Sequence, residues 1–168
     1  LGLMLSAIDD DNPVMYIEHK AMYALKGEVT SFEPIPLGKG DIKLSGEDVT
    51  IIATGKMVHE ALSAAKTLEK DGISAEVLDP RTLYPLDKGL IAQSLGKTHK
   101  AVIVTEETRR GGYGGEISAI IAEEMFDLLD CPVIRIGALD TPVPFAPVLE
   151  QAYLPNAQDI VKAVRTQE

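Results

Sequence analysis

The sequence predicts an α/β domain in which a parallel sheet lies between two layers of helices. Two observations carry the prediction. From about residue 39 to the end, short apolar runs alternate with amphipathic segments of helical spacing. One of those runs, Val49-Thr50-Ile51-Ile52-Ala53, is apolar almost throughout, as a strand covered on both faces must be. The chain has 168 residues, enough for one such domain with a short extra segment.

In chain order, Leu1, Leu3, Met4, Leu5 and Ile8 lie close to helical spacing, so residues 1–8 read as a helix cut open at its start. The chain is therefore expected to be part of a longer protein. A polar turn follows at 9–13, and 14–17 reads as a short strand. Gly27, Pro34, Pro36, Gly38 and Gly40 punctuate an aperiodic stretch, which makes 27–38 a linker between residues 1–26 and a domain at 39–168. Residues 39–44 alternate weakly, and Lys39 and Lys43 would protect them as an edge strand. After the buried strand at 49–53, Val58, Ala61, Leu62, Ala65 and Leu68 form the apolar stripe of a helix over 57–69 that Gly72 ends. Strands are expected at 75–78, 101–105 and 133–136, and helices at 87–95, 116–129 and 157–165. No internal repeat or low-complexity tract interrupts this order.

Composition removes several function classes. Sixteen Lys and Arg against 26 Asp and Glu give a net charge of −10, and no cationic cluster suits a nucleic-acid backbone. No apolar run approaches the roughly 18 residues of a membrane span, and no cationic residues precede the apolar start as a secretory signal requires. Cys131 is the one cysteine, which excludes a disulfide framework and points to a reducing compartment.

In a parallel sheet, ligands and partners meet the loops at the carboxyl ends of the strands. Those loops collect Asp79, Arg81, Glu106, Arg109 and Asp140 on one rim. They read either as a polar site or subunit contact, or as helix caps and solvated ion pairs. Gly96-Lys97-Thr98 imitates the end of a phosphate loop, but the earlier glycine is replaced by Ile91 and the motif closes a helix instead of opening one. Gly111-Gly112-Tyr113-Gly114-Gly115 sits between a strand and a helix; it reads as a tight helix entry or as a ligand contact, and Ile117 breaks the dinucleotide fingerprint. His19, His59 and His99 have no metal-ligand spacing, and no serine occupies a nucleophile elbow. His19, after Glu18 at a strand end, reads as a structural or solvated histidine or as one lining a cleft, and His59 and His99 read as surface residues. The densest acidic patch, Asp9-Asp10-Asp11-Asn12-Pro13, follows helix carbonyls that lack partners, so it reads as a solvated turn or an oxygen-only cation site.

Five ordered stretches carry a resemblance. They are Asp11-Asn12-Pro13-Val14 through Glu18-His19-Lys20, then DVTIIATGKMVHEALSAA at 48–65, LDPRTLYPLD at 78–87, GGYGGEI at 111–117, and DTPVPFAP at 140–147 continued by Tyr153-Leu154-Pro155-Asn156. Together they resemble the C-terminal part of the β subunit of thiamine-diphosphate-dependent 2-oxo acid dehydrogenase E1 components, the pyruvate, branched-chain and acetoin dehydrogenase group. Many members carry His-Glu where this chain has Thr105-Glu106, so no role of that histidine is carried over.

The resemblance implies a transketolase C-terminal-type fold: three layers, with a five-stranded, mostly parallel sheet and one antiparallel strand, for which 39–44 is the candidate. It makes 1–26 the end of a preceding pyrimidine-binding domain. It implies an α2β2 enzyme, an oxidoreductase component that decarboxylates a 2-oxo acid or cleaves acetoin and passes the acyl group to lipoamide. The implied partners are the α subunit, a second β subunit and the subunit-binding domain of the lipoyl acyltransferase, the last drawn to acidic Asp127, Asp130, Asp159 and Glu168. Thiamine diphosphate with magnesium would belong to the intact enzyme and not to this part alone, which would supply assembly surfaces and no catalytic residue. A structural potassium ion would take carbonyls of Ala7, Ile8, Asp10 and Asn12. The implied location is the cytoplasm of a bacterium or the mitochondrial matrix of a eukaryote. A free-standing α/β binding or regulatory module is the alternative reading of the same elements.

Overall fold

The computed structural model describes residues 1–29 and 31–167. A five-stranded sheet has the order β1-β3-β2-β4-β5, from β1 (Asp41–Leu44), β2 (Val49–Ala53), β3 (Ala75–Asp79), β4 (Ala101–Thr108) and β5 (Ile134–Ala138). β1 runs antiparallel to β3 at one edge, and the remaining pairs are parallel. The helices are α1 (Gly2–Asp9), α2 (Met57–Leu68), α3 (Lys88–Thr98), α4 (Tyr113–Glu124), α5 (Pro147–Tyr153) and α6 (Ala157–Arg165).

Alternation along β2 divides the core. Val49, Ile51 and Ala53 point toward α2 and α6, where they meet Met57, Ala61, Leu68, Ile160 and Val164. Ile52 points the other way, into a second cluster with Leu78, Ile91, Leu95, Ile103, Ile117 and Ile121 from β3, α3, β4 and α4. Every residue of β2 is buried, as its apolar run requires. Gly46 lets the β1–β2 turn lie directly on β3: a Cβ there would stand 2.2 Å from the Ala75 carbonyl carbon.

The structure differs from the sequence reading at four places. Residues 14–17 form no strand; Met15 and Ile17 are 87% and 76% exposed, and β1 and β5 already hold the sheet edges. The fourth helix begins at Tyr113, three residues before the expected start. It ends at Glu124, because Met125 leaves helical geometry at φ −136° before a short 3₁₀ turn at Phe126–Leu128. β4 continues to Thr108, so Glu106 belongs to a strand and not to a loop. Finally, α5 is absent from the expected helices; its Pro147 occupies the first turn, where the missing N–H costs nothing.

Candidate functional site

The order of the strands locates the site. The chain leaves β2 toward β3 on one side and returns past β2 to β4 on the other, so the crossovers diverge between β2 and β4. In open α/β sheets that divergence opens a crevice at the carboxyl ends of the strands. Val104 pairs with Ala53, the last residue of β2, and Glu106 stands two residues beyond it. Between Val104 and Thr108 the pairing with β5 slips, so this end of β4 is irregular. Such irregularities re-aim side chains at sheet rims.

His19 meets Glu106 across the rim, with Nε2 2.6 Å from Oε2. The other ring nitrogen, Nδ1, is buried and unpartnered. His19 lies on the extended segment that leads from α1, and nothing local in the sequence links it to Glu106, because the two are far apart in the chain. His59 and His99 are exposed, as read from the sequence.

The loop after β3 is tied on itself. Arg81 adopts a left-handed conformation at φ 58°, with its N–H donating to Asp79 Oδ1 at 2.9 Å and its guanidinium to Asp41 Oδ2 at 2.8 Å. Burial pushes the Asp79 carboxyl up, against the Arg81 N–H and the charges of Lys43 and Arg81. Thr82 Oγ1 donates to the Pro85 carbonyl and accepts from the Gly38 N–H, while Asp87 caps α3 and accepts from the Gly40 N–H. This loop leaves Tyr84 94% exposed at its tip.

At the loop after β4, Gly112 is the N-cap of α4; a Cβ there would stand 2.4 Å from the Thr108 carbonyl oxygen. Glu107 Oε1 accepts from the Gly114 N–H at 3.2 Å, filling with a carboxylate the place where a helix start attracts anions. The void lined by Thr105, Gly112, Gly114 and Arg135 measures about 10 Å³, room for a water molecule and no cofactor. The glycine run is thus built as a tight helix entry. Arg110 and Asp140 form an exposed pair at 3.1 Å.

The predicted cation residues stay together. Ala7 and Ile8 close α1, Asp10 is its C-cap, and Asp10 Oδ1 accepts from the Asn12 N–H at 2.8 Å and from its side-chain amide at 3.0 Å. Those bonds hold the exposed Asp10 carboxyl below its ordinary value. The acidic docking residues do not stay together. Asp127 and Asp130 flank the amino end of β5, beside an apolar groove of about 430 Å³ lined by Phe126, Leu129, Cys131 and Val133. Asp159 lies in the first turn of α6 and closes a capping box with Asn156; Glu168 is outside the described residues.

The fold and rim define an open α/β domain whose preceding segment returns to its own carboxyl end. Residues 38–160 match the model of the transketolase C-terminal domain, and the chain belongs to that family. Acetoin:2,6-dichlorophenolindophenol oxidoreductase subunit beta of Bacillus subtilis is 52% identical over 95% of this chain and 47% of its own length. The 2-oxoisovalerate dehydrogenase subunit beta of the same organism is 45% identical over 98% of this chain and 51% of its own length. The mitochondrial pyruvate dehydrogenase E1 subunit beta of Dictyostelium discoideum is 43% identical over 98% of this chain and 48% of its own length. A solved split-gene transketolase, an inactive beta4 tetramer, superposes with a TM-score of 0.70 at 35% identity, covering 83% of this chain and 45% of that one. The chain spans about half the length of the curated relatives it matches. Among the described residues, no helix is long and apolar enough to cross a membrane.

Proposed function

We propose that this chain is the C-terminal part of an E1 β subunit, and that the intact α2β2 enzyme decarboxylates a 2-oxo acid, or cleaves acetoin, and delivers the acyl group to lipoamide. The observation that carries the reading is 52% identity to an acetoin oxidoreductase β subunit along 161 residues. Thiamine diphosphate supplies the carbanion chemistry when bound. This chain's residues position surfaces instead. Residues 1–26 belong to the preceding domain, a reading supported by the exposed apolar side chains of Ile8, Met15, Ile17 and Tyr23. The loops at the carboxyl rim, with Tyr84, Val143 and Phe145 exposed, face the α subunit and the second β subunit. Asp127 and Asp130, beside the groove at the opposite end of the sheet, meet the basic subunit-binding domain of the acyltransferase. In the intact subunit, carbonyls of Ala7, Ile8, Asp10 and Asn12 hold potassium; the end of α1 leaves carbonyls free, and the Asp10–Asn12 bonds order the turn.

The test is to express the full-length subunit with its α partner and follow dye reduction driven by pyruvate, branched-chain 2-oxo acids or acetoin. Thiamine-diphosphate-dependent turnover of one of them is expected. A correctly assembled complex that turns over none of them refutes the reading.

A further inference from the structure

We propose that His19 and Glu106 form a latch that holds residues 10–29 across the crevice at the carboxyl end of the sheet. Three observations converge on it. Residues 10–29 are almost entirely exposed, with only His19 and Met22 partly covered. Among the described residues, the 2.6 Å contact is the one polar side-chain bond from residues 10–29 to the sheet and its helices. The two ends of the segment are tied to each other: Ser6 Oγ donates to the Ile35 carbonyl at 2.6 Å and Ile35 N–H donates to the Gly2 carbonyl at 3.1 Å. His19 therefore pins the middle of a loop whose ends are already closed.

The position of Glu106 gives the latch its meaning. It stands at the irregular end of β4, beside the divergence of the crossovers where open α/β sheets take ligands. Here that place is met by the chain's own imidazole. Nδ1 of the same ring is buried and has no partner, so Nε2 is the ring atom that meets the rim. The latch couples the rim to the segment that leads in from the rest of the subunit, and in that respect it rests on the assignment of residues 1–26 to the preceding domain.

Lys20 and Lys26 are the only tryptic sites in residues 1–35, and cleavage at either releases a small N-terminal peptide. Limited trypsinolysis of the 168-residue chain, read by intact mass, therefore reports opening of this segment when reclosing outpaces cleavage. Glu106→Ala and His19→Ala are each expected to cleave at Lys20 and Lys26 about fivefold faster than the parent, with the melting temperature of the body unchanged. The double variant is expected to cleave no faster than either single, because both remove one bond. Unchanged cleavage in the singles, or multiplying effects in the double, overturns the latch. The domain assignment is judged separately by activity of the full-length assembly, so an active assembly with an unlatched fragment sinks the latch alone.

Discussion

Replacing Lys97 by Met tests how the β1–β2 turn is locked onto the sheet. Glu76 points from β3 toward α3 and is 2% exposed. Its carboxylate accepts from Ser94 Oγ at 2.5 Å, from the Gly46 N–H at 3.3 Å, and from the Lys97 ammonium. Ser94 in turn meets Thr50 Oγ1 at 2.6 Å, and Thr50 meets Thr98 Oγ1 at 2.6 Å. Burial drives the Glu76 carboxyl upward, but the bonds from Lys97, Ser94 and Gly46 together outweigh it, and the net direction is down. Removing one partner of a buried pair costs about 3–5 kcal/mol. Lys97 is one-third exposed, so water reaches its side and the expected loss falls to about 2 kcal/mol. For a chain of this size that is a drop in Tm of about 4–8 °C. The double variant Glu76→Met with Lys97→Met exchanges the pair for apolar groups, and it should recover much of the loss. Because the folded pKa is lowered, the pair's stabilisation is present above the unfolded value near 4.5 and is lost as pH falls through the folded value. Urea unfolding of the parent, the two single variants Glu76→Met and Lys97→Met, and the double variant between pH 7 and pH 3 is the assay. A Lys97→Met loss under about 0.5 kcal/mol, or a double variant as unstable as the sum of its singles, refutes this account.

Four further outcomes are expected. The full-length β subunit should melt higher in potassium than in a non-binding cation at equal ionic strength, since a ligand of the folded state raises Tm with its concentration; equal melts would leave Asp10 and Asn12 in a solvated turn. Isothermal calorimetry should find thiamine diphosphate with magnesium bound by the 168-residue chain far more weakly than micromolar, since the rim void is about 10 Å³; micromolar binding would refute that. Phe145, 103% exposed, should be an association contact, so sedimentation should show self-association that Phe145→Asp removes; a monomeric parent at high concentration contradicts it. Affinity of the intact complex for the acyltransferase subunit-binding domain should fall with salt and fall further in Asp127→Asn/Asp130→Asn, whereas salt-independent binding would rule out electrostatic docking.

The apolar run of β2 and the stripe of α2 could be read directly because burial on both faces, or on one stripe, leaves a period in the sequence. The same holds for α6, whose bounds match the expected ones. The antiparallel edge strand came from the resemblance, and its lysine content agreed with an edge. Residues 14–17 misled because a short apolar run looks like a strand, although a strand requires a neighbour to bond. α5 carried no expectation because a proline that stiffens a loop and a proline that starts a helix share the same φ.

What the sequence determined by itself was the alternation from β2 through α2, β3, α3, β4, α4 and β5 to α6, the two-sided core and the family motifs, all of them local patterns or ordered strings. The tertiary structure decided which distant residues became partners. It set His19 against Glu106, joined Glu76 to Lys97 and, through Ser94, to Thr50, placed Glu107 at the start of α4, and separated Asp159 from Asp127 and Asp130. The physical reason is that periodicity records which face of an element is buried. Pairings across the sheet depend instead on strand order and register, which no single segment encodes.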